Sequence, residues 1–343
     1  MHRLPVAFVA ILLAGQWIET GSLQGQDLER WLGPSHPKVA SRDSWGMMKL
    51  VQPLSETVSD SVVQVLSGGR LVALGTVVSE DGFVLTKKSE LTGDPVSVRL
   101  PSGEKVSARV AVVRPSNDLA LIKLEDGNEN PWGLKPAKFV NPEPETGSFV
   151  ISSGRDGKTL GIGVLGVNSR EVSHRGRLGV RFFDSPTAPV TIHRVAPLSG
   201  AEQAGLQGGD AILMIDDQEL YSSQSAIHLL GTKYYPGDVV SLTVRRGEDT
   251  FETRARMSEQ AILMESENDA AVNGPRNVRL SGFDAVIQHD TVLMPNQCGG
   301  PLLDSSGKVV GLNIARAGRV VSYALPSSLI NAEIISMLSE ARN

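Results

Sequence analysis

The chain holds one cysteine, Cys298, within PNQCGGPLLD (295–304), a tight proline and glycine frame directly before an apolar run. A thiol is intrinsically nucleophilic, is a few per cent thiolate near neutral pH, and needs a positioned base less than a hydroxyl does. Candidate partners are few. His289 lies nine residues upstream, Lys87 and Lys88 stand in LTKKSEL, Asp118 opens DLALIKLE, and no histidine occurs between His36 and His174. A lone cysteine forms no internal disulfide. No run has metal-ligand spacing, so no cofactor is implied.

The elements that must position these groups read as strands. The 343 residues are 41% hydrophobic and 21% charged, with 35 glycines and 5% aromatics. That composition suits many short strands joined by turns and fills two or three modules. The net charge of -5, with interleaved signs, leaves no basic stripe and excludes nucleic acid as a partner class. SVVQVL (61–66), LVALGTVVSEDGFVLT (71–86), VSVRLPSGEKVSARVAVVR (96–114) and DLALIKLE (118–125) are β-rich, with hairpin turns expected at Asp81-Gly82 and Ser102-Gly103. A proline-rich joint, NPEPETG (141–147), precedes GSFVISS (147–153) and TLGIGVLGVNS (159–169). Hairpins at this spacing predict closed or sandwiched antiparallel sheets. Further on, the strands LGVRF, VTIHRVAP, DAILMIDDQEL and VVSLTVRRGEDTFETRARM alternate with two predicted helices. SGAEQAGL (199–206) is capped by Ser199 and ended by Gly205, and SSQSAIHLLGT (222–232) carries Ser223, Ile227 and Leu230 on one face. Such a face serves equally as ordinary core or as the wall of a groove.

The N-terminus, MHRLPVAFVAILLAGQWIETGSLQGQ, has the layout of a secretory signal: Arg3, an apolar run from Leu4 to Ala14, then small and polar residues. The run is shorter than the roughly 18 to 20 residues that span a bilayer. Residues 1–24 therefore read as a removed signal peptide, with Ser22 a weakly marked candidate for its last residue, followed by a polar segment at 25–50. No later stretch can cross a membrane, so the mature protein is expected to be exported, periplasmic or extracellular. Cys298 would then lie outside the reducing cytosol.

Order along the chain supplies context. LGVRF, then AGLQGGDAILMIDDQEL, a helix and a P-G-D turn resemble a PDZ domain of the bacterial protease-associated type. The resemblance implies that an extended peptide adds to an exposed strand edge beside a helix, with loop N–H groups holding its terminal carboxylate. Carried onto this sequence, the loop is Arg177, Leu178, Gly179 and Val180, and Ile227 and Leu230 wall the pocket for the last side chain. The implied partners are peptides or protein C-termini. IQHDTVLMPNQCGGPLLD, GKVVGLN and YALP resemble the HtrA/DegP branch of trypsin-like serine proteases, as do ALGTVVSEDGFVLT, NDLALIKL and TLGIGVLGVNSR. The implied fold is mainly β, a trypsin-like double β-barrel with a PDZ domain inserted in the second barrel. The first barrel covers 51–140, the second 141–173 and 281–343, the PDZ domain 174–258, and a polar linker 259–280. Relatives often assemble as trimers, so a homo-oligomer is implied, although no trimer seam stands in the sequence.

The departures from that family concern chemistry. The resemblance keeps the triad carboxylate as Asp118, but Ser89 stands at the histidine position and Cys298 at that of the nucleophilic serine. In the oxyanion loop the family's P-G-N-S becomes Pro295-Asn296-Gln297-Cys298, with Asn296 where a glycine supplies an unusual backbone geometry. A lost base forfeits about 10²- to 10⁴-fold in rate, and a lost oxyanion donor about 10²- to 10³-fold. Cys298 is expected to fill the nucleophile's site as a small, partly buried hydrophobe, and Asp118 to hydrogen-bond Ser89 or the local backbone. Lys87 and Lys88 are read as solvated strand-end charges, and His289, on the strand before the nucleophile loop, is not expected to reach the thiol. His174 and His193 are read as surface or packing residues. The expected function is a pseudoprotease that binds peptides or unfolded segments as scaffold, chaperone or regulator of active relatives. The alternative is an active serine-type or cysteine-nucleophile endopeptidase in protein quality control.

Overall fold

The structure, a computed structural model, describes residues 41–125 and 132–343. The expected signal peptide and the first part of the polar segment lie outside the described residues. Of that segment, the described part leads into helix α1 (Trp45–Glu56), capped by Ser44.

The apolar runs of the first third become β1 (Val62–Ser67), β2 (Arg70–Val77), β3 (Phe83–Lys87), β4 (Val96–Arg99), β5 (Lys105–Arg114) and β6 (Leu119–Leu124). They close into a barrel in the order β1-β2-β3-β6-β5-β4. Along β6 the side chains alternate between two cores: Ile122 and Leu124 fill the barrel, whereas Leu119 and Leu121 face the seam toward the second barrel. Both faces are buried, which is why LALIKL reads as continuous apolar sequence rather than as an alternation.

The second barrel begins with β7 (Phe149–Ser153) and β8 (Thr159–Val172), after which the chain leaves it. A sheet of β10 (Val180–Phe182), β11 (Val190–Val195), β12 (Ala211–Ile215), β14 (Val239–Arg246) and β15 (Asp249–Arg256) follows, with β13 (Gln218–Glu219) paired to β12. Helices α2 (Gly200–Gln203) and α3 (Ser223–Lys233) cover it, and Leu206, Ile212, Leu230 and Val240 lie in its core. A separate ladder pairs β9 (Gly176–Arg177) with β16 (Ser258–Glu259). Then α4 (Gln260–Leu263) and α5 (Glu267–Asn273) lead back to β17 (Phe283–His289), β18 (Pro301–Asp304), β19 (Val309–Gly318) and β20 (Val321–Pro326), and α6 (Ser327–Arg342) ends the chain. These strands close the second barrel in the order β17-β20-β19-β18-β7-β8. The mainly β double barrel with an inserted PDZ-type module is thus as the resemblance implied. The exit and re-entry points, Val172 and Phe283, are cross-strand partners. An insertion whose ends are neighbours on one ladder leaves the host barrel intact.

Residues 259–280 are not a mere polar linker. They form α4 and α5, with Ser266 capping the latter, and Asn277, Arg279 and Leu280 are buried. Arg279 satisfies its guanidinium on main-chain oxygens: Ser116 at 2.8 Å, Ser281 at 3.0 Å, and those of Pro115 and Gly282. Polarity suggested solvent because those acceptors are distant in sequence.

The barrels meet where the Cys298 turn abuts β2. Leu74 N–H donates to Cys298 O at 2.8 Å, and Thr76 Oγ1 donates to Gly299 O at 2.9 Å. Gly299 has φ +98°, and a Cβ there would lie 2.0 Å from Leu74 O. Gly103, at φ +91°, has nothing within 4 Å of the same added atom. Gly299→Ala should therefore cost at least about 3 kcal/mol or prevent folding, whereas Gly103→Ala should cost only about 1 kcal/mol, as read by denaturant unfolding.

Candidate functional site

Ser89, Asp118 and Cys298 come together at the seam between the barrels. Asp118 follows the 3₁₀ turn Pro115–Asn117 with a left-handed backbone, φ 57°. Its carboxylate accepts from Ser89 N–H at 2.7 Å and from Ser89 Oγ at 2.8 Å, as the sequence reading expected. It also accepts from Lys87 Nζ at 2.8 Å, an ion pair with neither side chain exposed. The reading of Lys87 as a solvated charge is corrected: strand alternation puts it on the same face as Leu85, in the seam, where Nζ also reaches Ile314 O of β19. Burial alone would push the Asp118 carboxyl up. The charges of Lys87 and Arg279, with hydrogen bonds from Lys87 and Ser89, reverse this and hold it below the usual carboxylate value. Lys88 is also no free charge, because it pairs with Asp238 of the inserted module.

Cys298 is fully buried, where only partial burial was expected. Its Sγ donates to Asn277 Oδ1 at 3.4 Å. Burial pushes the thiol up to about 12, although Lys87 lies close enough to pull the other way. A protonated thiol with no base in contact is a poor nucleophile at neutral pH. Asn277, from the segment read as linker, packs against the thiol: Nδ2 donates to Glu90 at 2.9 Å and to Pro295 O at 3.2 Å, and Oδ1 also accepts from Arg316 N–H at 2.8 Å.

The loop that the resemblance matched to an oxyanion loop is a 3₁₀ turn. Pro295–Gln297 form a 3₁₀ turn in which Cys298 N–H donates to Pro295 O at 3.3 Å and Gln297 N–H to Met294 O at 2.9 Å. Gln297 Oε1 accepts from Met294 N–H at 2.7 Å. Asn296 does not take a positive φ, so it escapes the strain a left-handed residue would carry there. Amides spent inside a turn are not aimed at a developing oxyanion. Above Ser89 sits the P-G-D turn of the inserted module: an added Cβ on Gly237 would lie 3.0 Å from Ser89 Cβ, and Arg256 donates to Ser89 O.

His289, His174 and His193 are engaged elsewhere. His289 is buried, with Nδ1 2.8 Å from Thr291 Oγ1 and Nε2 3.0 Å from Asn313 Oδ1. The amide oxygen only accepts, so Nε2 carries the proton and Nδ1 accepts from threonine. Burial lowers its pKa to about 4. His174 packs edge-on against Tyr235, and His193 against Phe183. Among the described residues no group of three or more His, Cys, Asp or Glu could hold a metal ion. No helix among them is long and apolar enough to cross a membrane.

A second site opens on the inserted module, a cleft of about 940 Å³ between α3 and β10. Arg177, Leu178, Gly179, Val180, Ile227 and Leu230 all border it. Gly179 has φ +88°, and a Cβ would lie 2.2 Å from that of Ser199, so no other residue fits. Ile227 is 53% exposed, whereas Leu178 and Leu230 are buried beneath. Phe182 and, from the strap after β16, Leu263 and Met264 also line it. Phe182 was within reach of the strand pattern; the strap residues were masked by their polar surroundings.

Residues 163–256 match the PDZ domain family. Among solved structures the chain is similar to the M. tuberculosis Rv3671c protease in its inactive form, at 13% identity and a TM-score of 0.42, covering 87% of this chain and 98% of that one. It is also similar to the MamO protease domain from Magnetospirillum magneticum, at 17% identity and a TM-score of 0.38, covering 81% and 97%. No curated protein matches it by sequence.

Two outcomes follow for the seam. Lys87→Met leaves the Asp118 charge buried and unpaired and should cost about 3–5 kcal/mol in denaturant unfolding, whereas Lys87→Met with Asp118→Leu should recover most of it. His289, held neutral with a folded pKa of about 4 against 6.5 when free, contributes stability that is complete above pH 6.5 and is lost as pH falls toward 4. The loss should total about 3 kcal/mol and disappear in His289→Gln, measured by unfolding at each pH.

Proposed function

We propose that the chain is an exported, peptide-binding PDZ protein carried on a catalytically silent, HtrA-like double barrel. It captures protein C-termini or extended segments and serves as scaffold, chaperone or regulator of active relatives. The observation that carries this reading is a contrast between two sites: the nucleophile position holds a buried, protonated thiol under Asn277, while the PDZ cleft stands open beside a free sheet edge. Replacement of the triad histidine by Ser89, the burial of Lys87 against Asp118, and amides spent inside the 3₁₀ turn support the silence of the first site. Export rests on the apolar run from Leu4 to Ala14.

A labelled apolar-ended peptide should bind the full chain in fluorescence anisotropy, and Ile227→Asp should weaken binding by about tenfold or more. The same sample should leave peptide and unfolded casein intact, and maleimide should modify Cys298 only after unfolding. Casein cleavage abolished by Cys298→Ala would overturn this reading in favour of a cysteine-nucleophile endopeptidase.

A further inference from the structure

The rim of the PDZ cleft carries a charge arrangement that packing does not require. Arg181 of β10 and Arg194 of β11 are directly opposite one another in the antiparallel ladder, and both line the cleft. Like charges directly opposite on adjacent strands are destabilising. Both side chains are exposed, and among the described residues neither has a hydrogen bond or ion-pair partner. Arg177 adds a third guanidinium, bonded only to Gly176 O at 2.8 Å. Across all the walls of the cleft the sole acid is Asp184, which pairs with none of them. The concentration of positive charge stands out in a chain of net charge -5.

Strand geometry says what those arginines face. β10 is the outermost strand of its sheet, so an extended peptide would add there with successive side chains on opposite faces. Val180 and Phe182 pack toward the module's core, which leaves Arg181 on the opposite face. When the last side chain of the peptide enters the pocket beside Ile227 and Leu230, its penultimate and fourth-from-last side chains stand on the face of Arg181 and Arg194. We propose that this cleft selects acidic C-terminal segments, with Asp or Glu at the penultimate or fourth-from-last position clamped by Arg181 and Arg194. The proposal rests on the peptide-binding reading above. A carboxylate between the two guanidinium groups turns a cross-strand repulsion into two charge-assisted contacts.

The test uses the full chain and labelled peptides that share one apolar last residue and carry Glu, Gln or Lys at the penultimate, fourth-from-last or antepenultimate position. At low salt, Glu at the penultimate or fourth-from-last position should tighten binding by about three- to fivefold over Gln, with the gain shrinking as salt rises. Glu at the antepenultimate position, on the pocket face, should give no gain. Arg181→Gln with Arg194→Gln should erase the preference while the Gln peptide binds as before, and Arg181→Glu should turn it toward Lys. Equal binding of Glu, Gln and Lys peptides overturns the acidic preference and leaves the peptide-binding reading standing. Failure of every peptide to bind the wild-type chain overturns both.

Discussion

Burial of the Asp118 carboxylate is the constraint around which the two barrels are arranged. An ionised carboxylate withdrawn from water costs several kcal/mol unless a counter-charge and hydrogen bonds replace its hydration. Lys87 and Ser89 carry that task. Lys87 is itself charged and buried, and its second acceptor, Ile314 O, belongs to the opposite barrel. The pair therefore does more than neutralise a residue of the first barrel. It ties β3 to β19 across the seam, so the solution to the charge is also part of the join.

The same logic of satisfaction extends to the thiol and its loop, and it separates stability from catalysis. A catalytic cleft keeps donors unspent and aimed at charge that develops only in the transition state. Around Cys298 the donors are paired within the protein. Cys298 N–H and Gln297 N–H close a 3₁₀ turn, and Asn277 Oδ1 accepts hydrogen bonds from the thiol and the Arg316 N–H while its Nδ2 donates to Glu90 and Pro295. Each of these groups is satisfied within the network, and the P-G-D turn packs directly over Ser89.

Much of this was legible in the sequence, and the remainder failed for identifiable reasons. SVVQVL and DLALIKLE announced strands because apolar residues stand on both faces of each, and AGLQGGDAILMIDDQEL announced the PDZ module because its glycines and capped helix are local features. The correspondence of Ser89, Asp118 and Cys298 also needed only local runs. Lys87 was misread because adjacent lysines at a strand end suggest solvent, although counting by twos from Leu85 places the first of them in the seam. Residues 259–280 were misread because polar composition says nothing about partners more than a hundred residues away, such as Pro115 and Ser116 for Arg279. Polar residues are assigned to solvent by default, and both errors concern polar groups whose acceptors the fold supplies.

That misread segment also joins the two sites. β16 pairs with β9 next to Gly179, α4 contributes Leu263 to the PDZ cleft, and the chain then runs on to Asn277 against the thiol. Glu259 fastens the two ends of the segment, accepting from Leu280 N–H at 3.0 Å and from Ser281 Oγ at 2.8 Å. Uncovering Cys298 therefore requires breaking bonds in a strap that also lines the cleft of the inserted module. Buried polar groups are costly to leave unpaired, which fixes the strap at its buried points, Glu259, Asn277 and Arg279. The cover over Cys298 and one wall of the module's cleft thus belong to one ordered segment, and the polarity that disguised the strap as a linker is what holds it there.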